Sequence, residues 1–83
     1  MEKLLRRELR NKEMLLKLGV RLRHFRKLRG YKTAGLAANK IEVQRSQYSR
    51  YEAGTTSISF LTLVDILDKM EIPISEFFSE GFD

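Results

Sequence analysis

Leu15, Leu18, Leu22, Phe25 and Leu28 recur three and four residues apart, the spacing that lines up one face of an α-helix. From Lys3 to Arg29 only Gly19 interrupts a helix-compatible run, so one long helix with this stripe buried is expected. Lys27 and Arg29 followed by Gly30 set cations at the negative helix pole before a residue that tolerates a left-handed backbone, which marks its end.

Downstream, Thr33 can cap a short helix reaching about Lys40, with Ala37, Ala38 and Ile41 as its small apolar face. A third helix is expected over Arg45 to Glu52, where Tyr48 and Tyr51 make the packing side and Ala53 and Gly54 end the run. Ser59 can cap a fourth from Phe60 to about Met70, with Leu61, Val64 and Leu67 inward. Pro73 breaks the chain there, and Ser75 is the expected cap of a last short helix, with Phe77 and Phe78 beside Ile72 and Ile74. No strand pattern is present, so the expected class is all-α.

Ala34 to Tyr51 fits a bihelical template: a short helix, a tight turn near Glu42 and a second helix lying across the first. Ala37, Ile41, Val43, Tyr48 and Tyr51 fall at its internal contacts, and Ala38 permits close backbone approach. Arg45, Ser46, Ser49 and Arg50 are left on the outer side of the second helix.

Charge sharpens this picture. Residues 1–50 carry 15 basic and 4 acidic side chains, a net of +11, whereas residues 51–83 carry 1 basic and 7 acidic, a net of −6. A strongly positive half suits a phosphate backbone, which gives up condensed counterions to Lys and Arg.

Composition removes other classes. At 83 residues the chain holds one modest core. With no cysteine and His24 as the sole histidine, neither thiolate chemistry nor a metal site of several ligands is expected. The five glycines are scattered and make no phosphate-binding loop. No catalytic constellation is readable, so the chain is expected not to be an enzyme and to need no cofactor or small-molecule substrate. The opening MEKLLRRELRNKE has no unbroken apolar stretch, so a cytoplasmic protein without a membrane segment is expected.

The segments LRHFRKLRGY, AANKIEVQRSQYSRYEAG and SFLTLVDILDKMEIPISEFF resemble, in order and spacing, the Cro and phage-repressor type helix-turn-helix family, also called the xenobiotic response element family of transcriptional regulators. The resemblance covers about Lys17 to Phe78. It implies a compact five-helix, lambda-repressor-like DNA-binding domain whose recognition helix, Gln44 to Tyr51, meets base edges. Arg45, Ser46 and Arg50 are then the base-reading candidates, with Ser49 a lesser one; an arginine fork can donate two hydrogen bonds to guanine. The amides of Thr33 and Ala34, with the Thr33 hydroxyl and Lys32, can hold a phosphate at the positive end of the second helix. Gln44, Gln47, Thr55 and Thr56 are further phosphate candidates. The resemblance also implies a partly buried ion pair between Arg26 and Glu52. The chain departs from the family at two points: Glu42 stands where glycine is usual, and the stretch from Gly30 to Ala38 is one residue longer.

Two regions are therefore expected: an amphipathic extension of the first helix over residues 1–16 and a helix-turn-helix domain over residues 17–83. In the extension, Leu4, Leu5, Leu9, Leu15 and Leu16 sit amid basic residues. It can lengthen the first helix, pair with a second copy, lie on an anionic membrane surface or fray as a solvated end. The function expected is sequence-specific binding of double-stranded DNA by a homodimer, with Ile72, Ile74, Phe77, Phe78 and Phe82 as a dimer surface or a closure of the core. The alternative is a protein-interaction module such as the antitoxin of a toxin–antitoxin pair.

Overall fold

The computed structural model describes residues 2–83. Five helices follow in order, α1 (Glu2–Leu28), α2 (Ala34–Ile41), α3 (Arg45–Ala53), α4 (Phe60–Lys69) and α5 (Ile74–Phe77), and no strand occurs among the described residues. The protein is a compact all-α fold, as its periodicity indicates.

Local chemistry explains where the helices begin and end. The Thr33 hydroxyl accepts from the Leu36 amide at 3.2 Å and the Ser59 hydroxyl from the Thr62 amide at 3.1 Å, each satisfying a first-turn donor that has no partner within its helix. Four helices stop through one device, a left-handed residue that folds two amides back onto the last turn. Gly30, Glu42, Gly54 and Glu71 hold that position with φ of 89°, 58°, 70° and 59°. Behind them, Tyr31 donates to the Arg26 carbonyl at 3.1 Å, Val43 to Ala38 at 3.0 Å, Thr55 to Arg50 at 3.1 Å and Ile72 to Leu67 at 2.9 Å. Glutamate in this region carries a steric cost that glycine does not. Glu71→Gly is therefore expected to stabilise the fold by about 1 kcal/mol, read as a raised midpoint in chemical denaturation with unchanged slope.

Basic side chains reinforce these ends. Arg21 donates through Nε to the Phe77 carbonyl and through Nη2 to that of Glu76, both at 2.9 Å. Arg29 donates to the Met70 and Glu71 carbonyls at 3.0 and 2.8 Å, and Lys69 to the Ile41 carbonyl at 3.0 Å. Each cation meets the negative pole of another helix, so α1 is tied to the ends of α4 and α5, and α4 to the end of α2.

The core sits where α1 and α2 close on α3. Leu22, Phe25, Ala37, Ala38, Ile41, Tyr48, Ile66, Leu67 and Phe77 are essentially inaccessible, and the Phe25 and Phe77 rings lie 5.9 Å apart. Contact between α1 and the end of α3 is backbone to backbone: a Cβ at Gly19 would strike the Glu52 carbonyl oxygen and come within 2.8 Å of the Tyr51 carbonyl oxygen. Beyond that crossing α1 continues outward, and residues 2–14 are all exposed. Its rise of about 1.5 Å per residue over 27 residues accounts for the 43 Å long axis of the molecule.

Several sequence expectations are corrected. Leu28 is exposed, since α1 ends there as the chain turns away. On α4 the buried face is Leu63, Ile66, Leu67 and Met70; Leu61 is 73% exposed and Val64 half-buried. Apolar residues occur on two sides of this helix, so spacing alone did not fix its phase. Ser75 does not cap α5, which begins at Ile74 behind Pro73, whose carbonyl accepts from Glu76 and Phe77. Ile72 and Phe77 close the core, leaving Ile74 and Phe78 partly exposed, while the Phe82 ring packs 5.0 Å from Phe78 and 6.0 Å from Phe77.

Candidate nucleic-acid interface

The interface is built from the α2–α3 unit. Ala38 is buried under α3, and the left-handed turn at Glu42 lets α3 start three residues later across α2. Tyr48 and Tyr51 pin the inner side of α3, at 0% and 8% exposure. Because 3.6 residues make a turn, fixing these two tyrosines inward turns Arg45, Ser46, Ser49 and Arg50 outward, and all four are exposed.

Within that outer face the side chains form two groups. Arg50 bends back along α3, its Nε donating to the Ser46 carbonyl at 3.3 Å and its Nη2 to the Ser46 hydroxyl at 3.5 Å. Arg45 reaches the other way, over the first turn of α2; a Cβ at Gly35 would lie 2.9 Å from Arg45 Nε. The Arg45 guanidinium thus lies beside the amino-terminal turn of α2, where Thr33 and Ala34 stand and where first-turn amides lack intrahelical acceptors.

The remaining candidates are placed as follows. Lys32 and Thr33 are exposed and Ala34 half-buried, next to Arg45. Gln44 precedes α3, exposed, and its side chain makes no capping bond; Gln47 is half-buried toward the inner side. The Thr55 hydroxyl turns back to the Arg50 carbonyl at 3.4 Å, and Thr56 is half-buried. These two stand past the carboxyl end of α3, whereas Lys32, Thr33 and Ala34 adjoin its amino end through Arg45. Sequence reasoning missed Lys27 and Tyr31, which with Gly30 and Lys32 line a shallow depression beside the Thr33 cap. The basic residues on either side of Gly30, Lys27 and Lys32, were the signal for it.

Behind the face, Arg26 Nε donates to Glu52 Oε2 at 2.7 Å, with side-chain exposures of 5% and 9%. Arg26 Nη1 also donates to the Tyr31 carbonyl at 2.8 Å, so one guanidinium joins the ends of α1 and α3. The Tyr48 hydroxyl is buried beside this pair without a hydrogen bond of good geometry. Burial first, and then the neighbouring Glu52 carboxylate, push its pKa far above the usual phenol value, so Tyr48 remains a neutral packing residue.

Arg21, Arg26 and Lys69 are engaged in ion pairs within the fold, while Lys27, Lys32, Lys40, Arg45 and Arg50 make none among the described residues. His24 is exposed, its ring edge-on to Phe25 at 5.2 Å. No helix is long and apolar enough to cross a membrane among the described residues.

Comparison with curated proteins and with solved structures gives no match. A family model described as a helix-turn-helix domain matches residues 17–74, which takes in α2, α3 and the turn between them together with the packing helices on either side, and the chain therefore belongs to the helix-turn-helix domain family.

Proposed function

We propose that this protein is a sequence-specific transcriptional regulator that reads the major groove of double-stranded DNA with α3. The observation that carries the reading is the outward face of Arg45, Ser46, Ser49 and Arg50, presented by a helix whose other side is locked by two buried tyrosines. A rigid, exposed, cationic helix start is what base-edge recognition needs.

In this reading Arg45 and Arg50 donate to guanine edges, with Ser46 and Ser49 between them. Lys32, Thr33 and Ala34 hold a phosphate at the amino end of α2, and Gln44, Gln47, Thr55 and Thr56 make flanking backbone contacts that fix register but carry no sequence information. The protein acts in the cytoplasm as a homodimer on a two-fold operator, with half-sites separated by about 10 to 10.5 base pairs. Binding needs neither a cofactor nor catalysis.

The test is selection of bound sequences from random duplexes at two salt concentrations. A half-site should be enriched, and Arg45→Ala should lower affinity for it by about tenfold to a hundredfold while relaxing one position. Lys32→Ala should weaken all duplexes alike and reduce the salt dependence by about one counterion. Uniform, salt-sensitive binding with no enriched site would refute sequence-specific recognition.

A further inference from the structure

One face of α1 has no partner within the protein. Leu5, Leu9, Leu16 and Val20 are 57%, 59%, 54% and 66% exposed, and Glu2, Lys12, Glu13 and Arg23 are exposed with them. At about 100° per residue these eight positions share an arc of about 100°, well away from the side that carries Leu18, Leu22 and Phe25 into the core. Four aliphatic residues aligned over about four helical turns make an unusual surface for a helix in water.

The order of residues on this face is self-complementary when reversed. Two antiparallel copies, registered so that position 12 of one faces position 13 of the other, oppose Leu5 with Val20, Leu9 with Leu16, Lys12 with Glu13 and Glu2 with Arg23. Every apolar residue then meets an apolar one and Glu2 meets Arg23, each twice over as a two-fold interface requires, while Lys12 and Glu13 of both copies gather into one cluster of two positive and two negative charges at the axis. Within one chain Glu13 bonds Lys17 at 3.2 Å, and the paired arrangement adds the partner's Lys12 to that carboxylate. A parallel pairing in register sets like charges against each other at these positions, which opposes it.

We infer that α1 is the homodimerisation element, pairing antiparallel with α1 of a second copy through Leu5, Leu9, Leu16 and Val20, with the two-fold axis passing between Lys12 and Glu13. The inference takes from the proposed function only the premise that the protein is a dimer. It also gives the protruding turns a reason to stay helical, since a stretch this short is marginal alone in water. The interface leaves the reading face clear: α1 leaves the domain past the carboxyl end of α3, whereas Arg45 lies at its amino end.

The chain has no cysteine, which makes the register directly testable. Under mild oxidation a mixture of Leu9→Cys and Leu16→Cys chains should form the mixed disulfide in preference to either homodimer. Sedimentation equilibrium of the unaltered chain should show a dimer, and Leu9→Lys should raise its dissociation constant at least about tenfold. Lys12→Glu should weaken it as well, and Lys12→Glu combined with Glu13→Lys should restore it. A monomer at every concentration, a dimer indifferent to Leu9→Lys, or self-crosslinking of Leu9→Cys chains that outcompetes the mixed pair each overturns the inference. A monomer that still selects a half-site would sink the interface and leave DNA recognition standing, whereas a dimer that selects no sequence would do the reverse.

Discussion

Arg26→Ala is expected to lower the stability of the domain by about 3 to 5 kcal/mol, because it leaves the Glu52 carboxylate buried without its partner. The pair is 2.7 Å long and almost fully covered, and the same guanidinium satisfies the Tyr31 carbonyl, so two groups lose their partner at once. Domains of this size shift by about 4 to 8 °C for each kcal/mol, which places the expected fall in Tm above about 12 °C. Arg45→Ala, at an exposed position, should change Tm little while changing DNA affinity. A double replacement, Arg26→Met with Glu52→Leu, removes both charges together and should recover most of the loss, since paired buried charges contribute little net stability beyond satisfying each other. If Arg26→Ala melts within about 2 °C of the parent, Glu52 must have reached water, and the pair is not the clamp between α1 and α3 described above.

The parts of this fold that were legible in the sequence are those fixed by local chemistry. The Thr33 and Ser59 caps, the helix ends at Gly30 and Gly54 and the inward tyrosines of α3 each depend on residues within one turn of one another. The end of α4 at Glu71 was not announced in this way: glutamate does not seek a left-handed backbone, and it takes one here because Ile72 must turn back into the core. Leu61 and Leu63 are chemically equivalent, and only the packing of α4 on the rest of the domain decides between them. The ion pair joins positions 26 residues apart, beyond any periodicity; it was expected from family resemblance alone.

The charge asymmetry was legible as a total and misleading in detail. Arg21, Arg26 and Arg29 belong to the basic half yet point their guanidinium groups at carbonyls and a carboxylate of the fold. These groups serve the fold, so the cations free of it are fewer: Lys27, Lys32, Lys40, Arg45 and Arg50 near α2 and α3, and the exposed basic residues along α1. In the candidate site, sequence placed Arg45, Ser46, Ser49 and Arg50 outside but could not give their directions. Arg45 leans onto α2 because Gly35 has no side chain to stop it, and Arg50 bends onto Ser46 because the two stand one turn apart.

Gly19→Ala is the second large effect expected, and its sign is decided by two opposed magnitudes. Alanine in place of glycine favours a helix interior by about 1 kcal/mol, so an exposed position would be stabilised. At Gly19 the new methyl would collide with the Glu52 carbonyl oxygen and approach the Tyr51 carbonyl oxygen at 2.8 Å. Both belong to the backbone of α3 and cannot rotate aside, so α1 must back away along the contact that also seats Leu22 and Phe25. Overpacking of this kind costs about 1 to 3 kcal/mol and sometimes more, and it outweighs the propensity gain, because relief requires moving a helix. The same argument predicts the opposite for Gly35→Ala, where the obstacle at 2.9 Å is the flexible end of Arg45: helix stability should hold or rise while Arg45 is displaced and DNA affinity falls. Chemical denaturation of the two variants side by side separates these cases, and a stabilised Gly19→Ala protein would show that α1 does not cross α3 at the closeness described.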